Sequence, residues 1–270
     1  MTICIAALCE QGKSCVVASD RMTVYDYTRV TERKLEDHTD KFHSVGPRAV
    51  LLHSGLTRDT VYIREYLKDR IRNFNSVLIS DLEVAIQGLF ERKRNVEVFQ
   101  LLGGQYSFGE LVKAVGSMTS GPLYEVWQET RKKGISGYVG QFVLVAWANP
   151  QYEIHLYGDQ PAGEPTKIET AFQCIGSGWL PATSAFVFQK YTMELDLKDA
   201  LFQVYCAKKA AEVNTGVGEA TDLAYLKSDT EQLTALSSEA VGVLERYRKA
   251  RQKLTVEEDS EFATMLHGQQ

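Results

Sequence analysis

The chain has 270 residues, 44% of them hydrophobic and 24% charged, which suits a single globular domain with a sizeable core. A formal net charge of −5 supplies no general basic field, so no nucleic-acid partner is expected, and small molecules, peptides and proteins remain. No run approaches the roughly 20 apolar residues of a spanning helix, and the opening TICIAAL is too short for a signal-peptide core, so neither a membrane nor an export route is expected. The five cysteines, Cys4, Cys9, Cys15, Cys174 and Cys206, are odd in number and show no CxxC or Cys/His ligand spacing. That pattern predicts reduced thiols, a cytoplasmic protein and no metal site.

In chain order, residues 2–8 and Cys15-Val16-Val17-Ala18-Ser19 are β-rich runs on either side of the turn signal Glu10-Gln11-Gly12-Lys13-Ser14, a predicted hairpin. Residues 26–40 are polar and are expected to be irregular or extended. Lys41 to Val45 and Ala49 to Gly55 then form a second hairpin about Gly46-Pro47, so the chain is expected to start with four strands. From Thr57 the period changes. Val61, Ile63, Leu67, Ile71 and Phe74 recur at helical spacing, and Ser80-Asp81-Leu82-Glu83 is a capping box for a helix with Leu82, Ile86, Leu89 and Phe90 inward.

Segment 95–138 is punctuated by glycines, with helical fragments near 108–115 and 122–132. Gln141–Trp147 and Tyr152–Tyr157 flank Ala148-Asn149-Pro150-Gln151 as a third hairpin, and a strand over 171–175 runs into Gly176-Ser177-Gly178. Helices are expected over 181–191 and from an Asp196 cap, where Ala200, Val204, Ala207 and Ala211 repeat at helical spacing. Thr221 to Leu226 is a last strand, 231–253 a last helix, and the end after Val256 is expected to fray. The block order of strands, helices, strands and helices indicates an α+β layered sandwich rather than βαβ units. With no repeat or linker, 1–270 is taken as one domain, with a helical elaboration at about 95–138 and a C-terminal helical extension at about 231–270.

Thr2 heads the first strand, VVASDRM ends the second, DKF opens the third and LLHSGLTRD runs from the fourth into a helix. FVLVAW…IHLYGDQPAG and FQCIGSG follow at 142–163 and 172–178. In this order the motifs resemble the proteasome β-subunit family of N-terminal nucleophile (Ntn) hydrolases, bacterial homologues more than eukaryotic subunits. The resemblance spans most of the chain except 95–138 and the C-terminal extension. It implies a four-layer αββα sandwich with two stacked antiparallel sheets, and a homo-oligomeric ring or stack acting on peptides or proteins, with or without an unfoldase.

It also implies site roles. Thr2, freed by removal of Met1, would supply Oγ as nucleophile and its α-amine, with a pKa near 8, as base. Lys41 would stabilise the developing alkoxide, Asp20 would hold Lys41, Gly55 would give an oxyanion-hole N–H, and Ser177 would assist the amine's proton transfers. Taken alone, Lys41 is a solvated turn charge, Asp20 and Gly55 are turn residues, and Gly-Ser-Gly is ordinary loop composition.

The chain departs from the family where a DxxSGG-like segment should follow the long helix. Asn214 stands where the aspartate is expected and Val217 where the serine is expected, leaving Thr215 or Glu212 as substitutes, and Thr23 is displaced to three residues beyond Asp20. These departures favour a second expectation, a ring or scaffold subunit with weak or no turnover. A third, an amidohydrolase or acyltransferase on a small molecule, uses the same nucleophile. Cys4 and Cys15 lie in apolar strands and suit buried positions better than nucleophilic ones. His38 and His43 lack a third ligand, and Gly216-Val217-Gly218 lacks the rest of a dinucleotide loop, so no metal and no cofactor is expected.

Overall fold

A computed structural model describes residues 2–26, 32–36, 40–55, several positions within 61–92, and 108–116, 120–132, 140–157 and 166–267; for 23–26, 32–36, 254–267 and some helical positions before 133, it describes the backbone alone. The architecture is mixed α+β, with two antiparallel sheets of five strands each and helices packed on them.

The strands are β1 (Cys4–Cys9), β2 (Ser14–Asp20), β3 (Met22–Asp26), β4 (Glu32–Glu36), β5 (Phe42–Gly46), β6 (Ala49–Ser54), β7 (Gln141–Trp147), β8 (Tyr152–Tyr157), β9 (Thr166–Ile168), β10 (Phe172–Ile175), β11 (Thr221–Lys227) and β12 (Thr234–Ala235). The helices labelled here are α1 (Phe108–Val115), α2 (Pro122–Lys132), α3 (Trp179–Phe188), α4 (Leu197–Ala211) and α5 (Ser238–His267). One sheet has the order β10-β1-β2-β11-β12 and the other β5-β6-β7-β8-β9, while β3 and β4 form a separate ribbon.

Successive side chains of a strand point to opposite faces, and here both faces are covered. Cys4, Ala6, Leu8, Cys15 and Val17 of the first sheet pack against Val50, Leu52, Val143, Val145 and Ile154 of the second. Their neighbours Ile3, Ile5, Ala7, Val16 and Ala18 pack on Ala182 and Phe186 of α3 and on Ala200, Val204, Ala207 and Ala211 of α4. On the outer side of the second sheet, Leu51, Leu144 and Ala146 meet Ile63, Leu67, Ala85 and Leu89. Burial on two faces explains why β1, β2 and β6 are continuous apolar runs rather than alternating ones. Each fully buried valine or leucine in them contributes about 1.5–3 kcal/mol.

Three expectations need correction. The chain starts with six strands, because β3, just before the stretch expected to be irregular or extended, pairs with β4 inside it, from Met22↔Glu36 to Asp26↔Glu32. Val61 is exposed, whereas Ile63 and Leu67 are buried as the helical period requires. The last helix begins at Ser238, since Thr234 and Ala235 pair with Tyr225 and Ala224, and it continues to His267 instead of fraying after Val256. The Asp196 cap is as expected, its carboxylate accepting the Asp199 N–H at 2.7 Å. Ile71, Phe74, Leu82, Glu83, Ile86, Phe90, His38 and the 158–163 motif lie outside the described residues. Among the described residues, no helix is long and apolar enough to cross a membrane.

Candidate active site

Strand register builds the site. In β1, Cys4 pairs with Ser19 of β2 on one side and with Ile175 of β10 on the other. The residues just before Cys4 therefore meet the end of β2, where Asp20 lies, and the residues just after β10, where Ser177 lies. Lys41 arrives from the second sheet, immediately before β5, and its carbonyl accepts the His53 N–H of β6 at 3.0 Å.

Thr2, Asp20 and Lys41 come together, all three buried. The Thr2 hydroxyl donates to Asp20 Oδ1 at 2.7 Å, and Lys41 Nζ donates to the same oxygen at 2.7 Å. The Ile3 N–H is a third donor to Oδ1 at 2.9 Å, while the Met22 and Gly218 N–H groups donate to Oδ2 at 3.1 and 3.0 Å. Lys41 Nζ also reaches the Met22 carbonyl at 2.6 Å. Burial alone would raise the Asp20 pKa, but the charge and hydrogen bond of Lys41, helped by the Ile3 N–H and the Thr2 hydroxyl, outweigh it and hold the carboxyl below its ordinary value of 3.8. Asp20 is thus a carboxylate at neutral pH.

Ser177 lies on the other side of Thr2. Its Oγ accepts the Thr2 N–H at 3.1 Å and donates to the Thr2 carbonyl at 3.4 Å, and the Gly178 N–H donates to that carbonyl at 3.2 Å. The approach is so close that Gly176 is obligatory. It has φ of +94°, and a Cβ there would fall 2.3 Å from the Thr2 carbonyl oxygen. Gly55 follows β6 with φ of +143° and is exposed. Among the described residues no hydrogen bond joins it to the other four; the link is indirect, through Ser54 paired with Gln141, whose side chain accepts the Gly176 N–H at 3.2 Å.

The stretch where the family pattern fails has a structural account. Asn214 donates through Nδ2 to the Ser177 carbonyl at 2.8 Å and accepts the Gly216 N–H at 3.2 Å, so it braces the serine without adding charge. The Val217 side chain belongs to the core between the first sheet and its helices. Glu212 binds Lys208 and Lys209, which removes it as a substitute for the missing carboxylate, and Thr215 is exposed. For Thr23 the backbone alone is described.

Sequence reasoning missed Lys208. It is fully buried on α4, and its ammonium donates to the Gly218 and Glu219 carbonyls at 2.8 Å each and to Glu212. The available signal was a lysine at 208 within the apolar stripe of Val204, Ala207 and Ala211.

Competing nucleophiles are disabled. Burial pushes the Cys4 thiol up to about 12, and its Sγ donates to the backbone carbonyl of His53 rather than to the imidazole. Burial, with His43 and Lys41 nearby, pushes His53 down to about 3, so its ring is neutral. No group of three or more metal-ligating side chains comes together among the described residues. The arrangement can therefore present a threonine hydroxyl between an ion pair and its own backbone nitrogen. Compared with protein-family models and with curated proteins, the chain matches none.

Proposed function

We propose that the chain is a threonine-dependent amide-bond hydrolase, a peptidase, that works once the bond between Met1 and Thr2 is cut. The observation that carries this reading is the Thr2 hydroxyl sharing one buried carboxylate oxygen with the Lys41 ammonium while Ser177 holds the Thr2 nitrogen.

Thr2 Oγ attacks the substrate carbonyl carbon as its proton passes to the free α-amine. Collapse of the tetrahedral adduct breaks the C–N bond, the leaving amine takes that proton, and an ester remains on Thr2. Water, deprotonated by the same amine, then hydrolyses the ester and regenerates the hydroxyl. Asp20 is a poor base for this work. Its carboxyl lies below 3.8 against an α-amine near 8, so the amine is the better proton acceptor by more than about 5 kcal/mol. Asp20 instead fixes Lys41, whose charge beside a developing alkoxide is worth on the order of 3–4 kcal/mol at an effective dielectric of about 20. Gly55 is assigned the oxyanion N–H.

This reading includes a four-layer αββα Ntn sandwich, supported by the apolar clusters between the sheets and on their outer faces. It includes a cytoplasmic location, supported by five free thiols. It also includes self-association, supported by Trp179, Leu180, Val187 and Phe188, which are exposed along α3 at seven- and eight-residue separations.

Intact mass of the native protein should show Thr2 as the first residue. A peptide epoxyketone should then add its mass to Thr2 and not to a Thr2→Ala variant. A blocked Thr2 nitrogen, or a free Thr2 that takes no adduct, would sink the hydrolase reading. A scaffold without turnover is the second reading; the uncharged Asn214 and the core-facing Val217 favour it, and absence of an adduct would put it first.

A further inference from the structure

We infer that Lys208 is a positioning residue of the site, acting through the Gly218 backbone on Asp20. The inference rests on the hydrolase reading for its kinetic consequence, and on geometry for its existence.

After α4 the chain turns through 212–219 before entering β11, and this turn supplies the Gly218 N–H that binds Asp20 Oδ2 at 3.0 Å. Gly218 can come this close because it has no side chain. A Cβ there would fall 2.8 Å from the Met22 Cβ and 3.5 Å from Asp20 Oδ2. Besides the Gly218 bond to Asp20, the turn is tied by Asn214 to the Ser177 carbonyl, by Val217 in the core, by Lys209 to the Glu219 carbonyl, and by Lys208. Of the ties other than Asp20, only that of Lys208 reaches Gly218 itself, through its carbonyl, and Lys208 grips Glu219 as well. The carbonyl that Lys208 holds and the N–H that Asp20 holds thus belong to one residue.

The arrangement is costly, which argues that it is retained for a reason. Burial disfavours the ammonium and, against the opposing pull of Glu212, brings it down to about 8; Lys209 adds repulsion and Asp20 attraction. An apolar residue would fill the same place on α4 without that penalty. In return, Lys208 puts positive charge and two hydrogen bonds behind the turn in which Asn214 and Val217 offer neither charge nor a hydroxyl.

The test uses Lys208→Met and Lys208→Gln in the full chain. Glu212 keeps Lys209 as a partner in both, and Lys209 also reaches the Glu219 carbonyl, so Gly218 bears the loss. Two measurements apply: amide hydrogen exchange at Gly218, and the kinetics of epoxyketone addition to Thr2. Exchange at Gly218 should quicken in both variants. The maximal rate of Thr2 labelling should fall about tenfold to a hundredfold, the range lost with one hydrogen bond to a charged group, while half-saturation by the probe stays put. General loosening of the fold would move both kinetic parameters. Unchanged exchange at Gly218, or an unchanged maximal rate in folded variants, overturns the inference, and failure of both variants to fold overturns it in favour of a structural role. A wild-type protein that takes no label refutes the hydrolase reading instead, and the Gly218 exchange result then decides the role of Lys208 alone.

Discussion

Replacement of Asp20 by asparagine tests the centre of the site with almost no change of shape. The carboxylate is fully buried and accepts hydrogen bonds from five donors, three on Oδ1 and two on Oδ2. An amide has one oxygen, so whichever way it is turned its NH2 faces donors. The better orientation keeps the oxygen toward Thr2, Ile3 and Lys41 and leaves the Met22 and Gly218 N–H groups unpaired. Lys41, 5% exposed, also loses its counter-charge. Removing one partner of a buried pair costs about 3–5 kcal/mol, and that is the expected loss at neutral pH, read from urea midpoints at constant m-value. The sign with pH follows from the depressed carboxyl. Its stabilisation is present above the unfolded value and is lost as pH falls through the folded one, so the gap between wild type and Asp20→Asn should be full at neutral pH and close below 3.8. Adding Lys41→Met to Asp20→Asn should recover most of the loss, because the uncompensated ammonium goes with it. An Asp20→Asn protein within about 1 kcal/mol of wild type at neutral pH would refute the buried-pair account, since surface substitutions alone stay within about 0.5 kcal/mol.

Gly176→Ala forces an L-residue into φ of +94° and a Cβ against the Thr2 carbonyl, so it should cost at least about 1–3 kcal/mol in a thermal or urea melt and remove Thr2 labelling; a folded variant that labels normally would contradict the close approach. In the folded protein at neutral pH, iodoacetamide should modify Cys206 before the other thiols, because it is partly exposed and pushed up only to about 11, whereas Cys4, Cys9 and Cys174 are buried and pushed up to about 12. Peptide mapping that finds Cys4 alkylated first would show that its strand is open to solvent. Phe188→Glu should leave the secondary structure unchanged by circular dichroism and shift native mass toward the monomer, and an unaltered assembly would remove α3 as the contact between copies.

How much of the fold was legible depended on whether a strand's partner was apolar. β1, β2, β6, β7 and β8 were readable because each contributes side chains to a packed core, and core packing is what hydrophobic pattern records. β4 was not, because Glu32, Arg33, Lys34 and Glu36 offer no apolar alternation; it pairs with β3 through backbone groups, which every residue carries. The same holds for the three-residue β9 and the two-residue β12, too short for any period to show.

The site divides along a different line. Thr2, Asp20 and Ser177 stand at strand ends that the β10-β1-β2 register brings together, so motif order along the chain was a usable proxy for proximity. Lys41 stands next to a strand of the other sheet, and only the packing of the two sheets turns a polar turn residue into a buried cation. Gly55 was named for its backbone, and a backbone group's direction is not written in residue identity. Lys208 shows the deeper obstacle. Its helix reads as an apolar stripe from Ala200 to Ala211, and a single lysine in such a stripe is ordinarily explained by its long stem reaching solvent. Here the ammonium stays inside because its acceptors are there: the Glu212 carboxylate at the helix end, and the Gly218 and Glu219 carbonyls, which come from a turn that follows the helix. The two carbonyls are backbone atoms, so substituting the residues around them leaves no trace of those two bonds in the sequence. A charge held by carbonyls is visible only once the chain has been folded around it, and in this protein that charge stands one residue behind the carboxylate that orients Thr2.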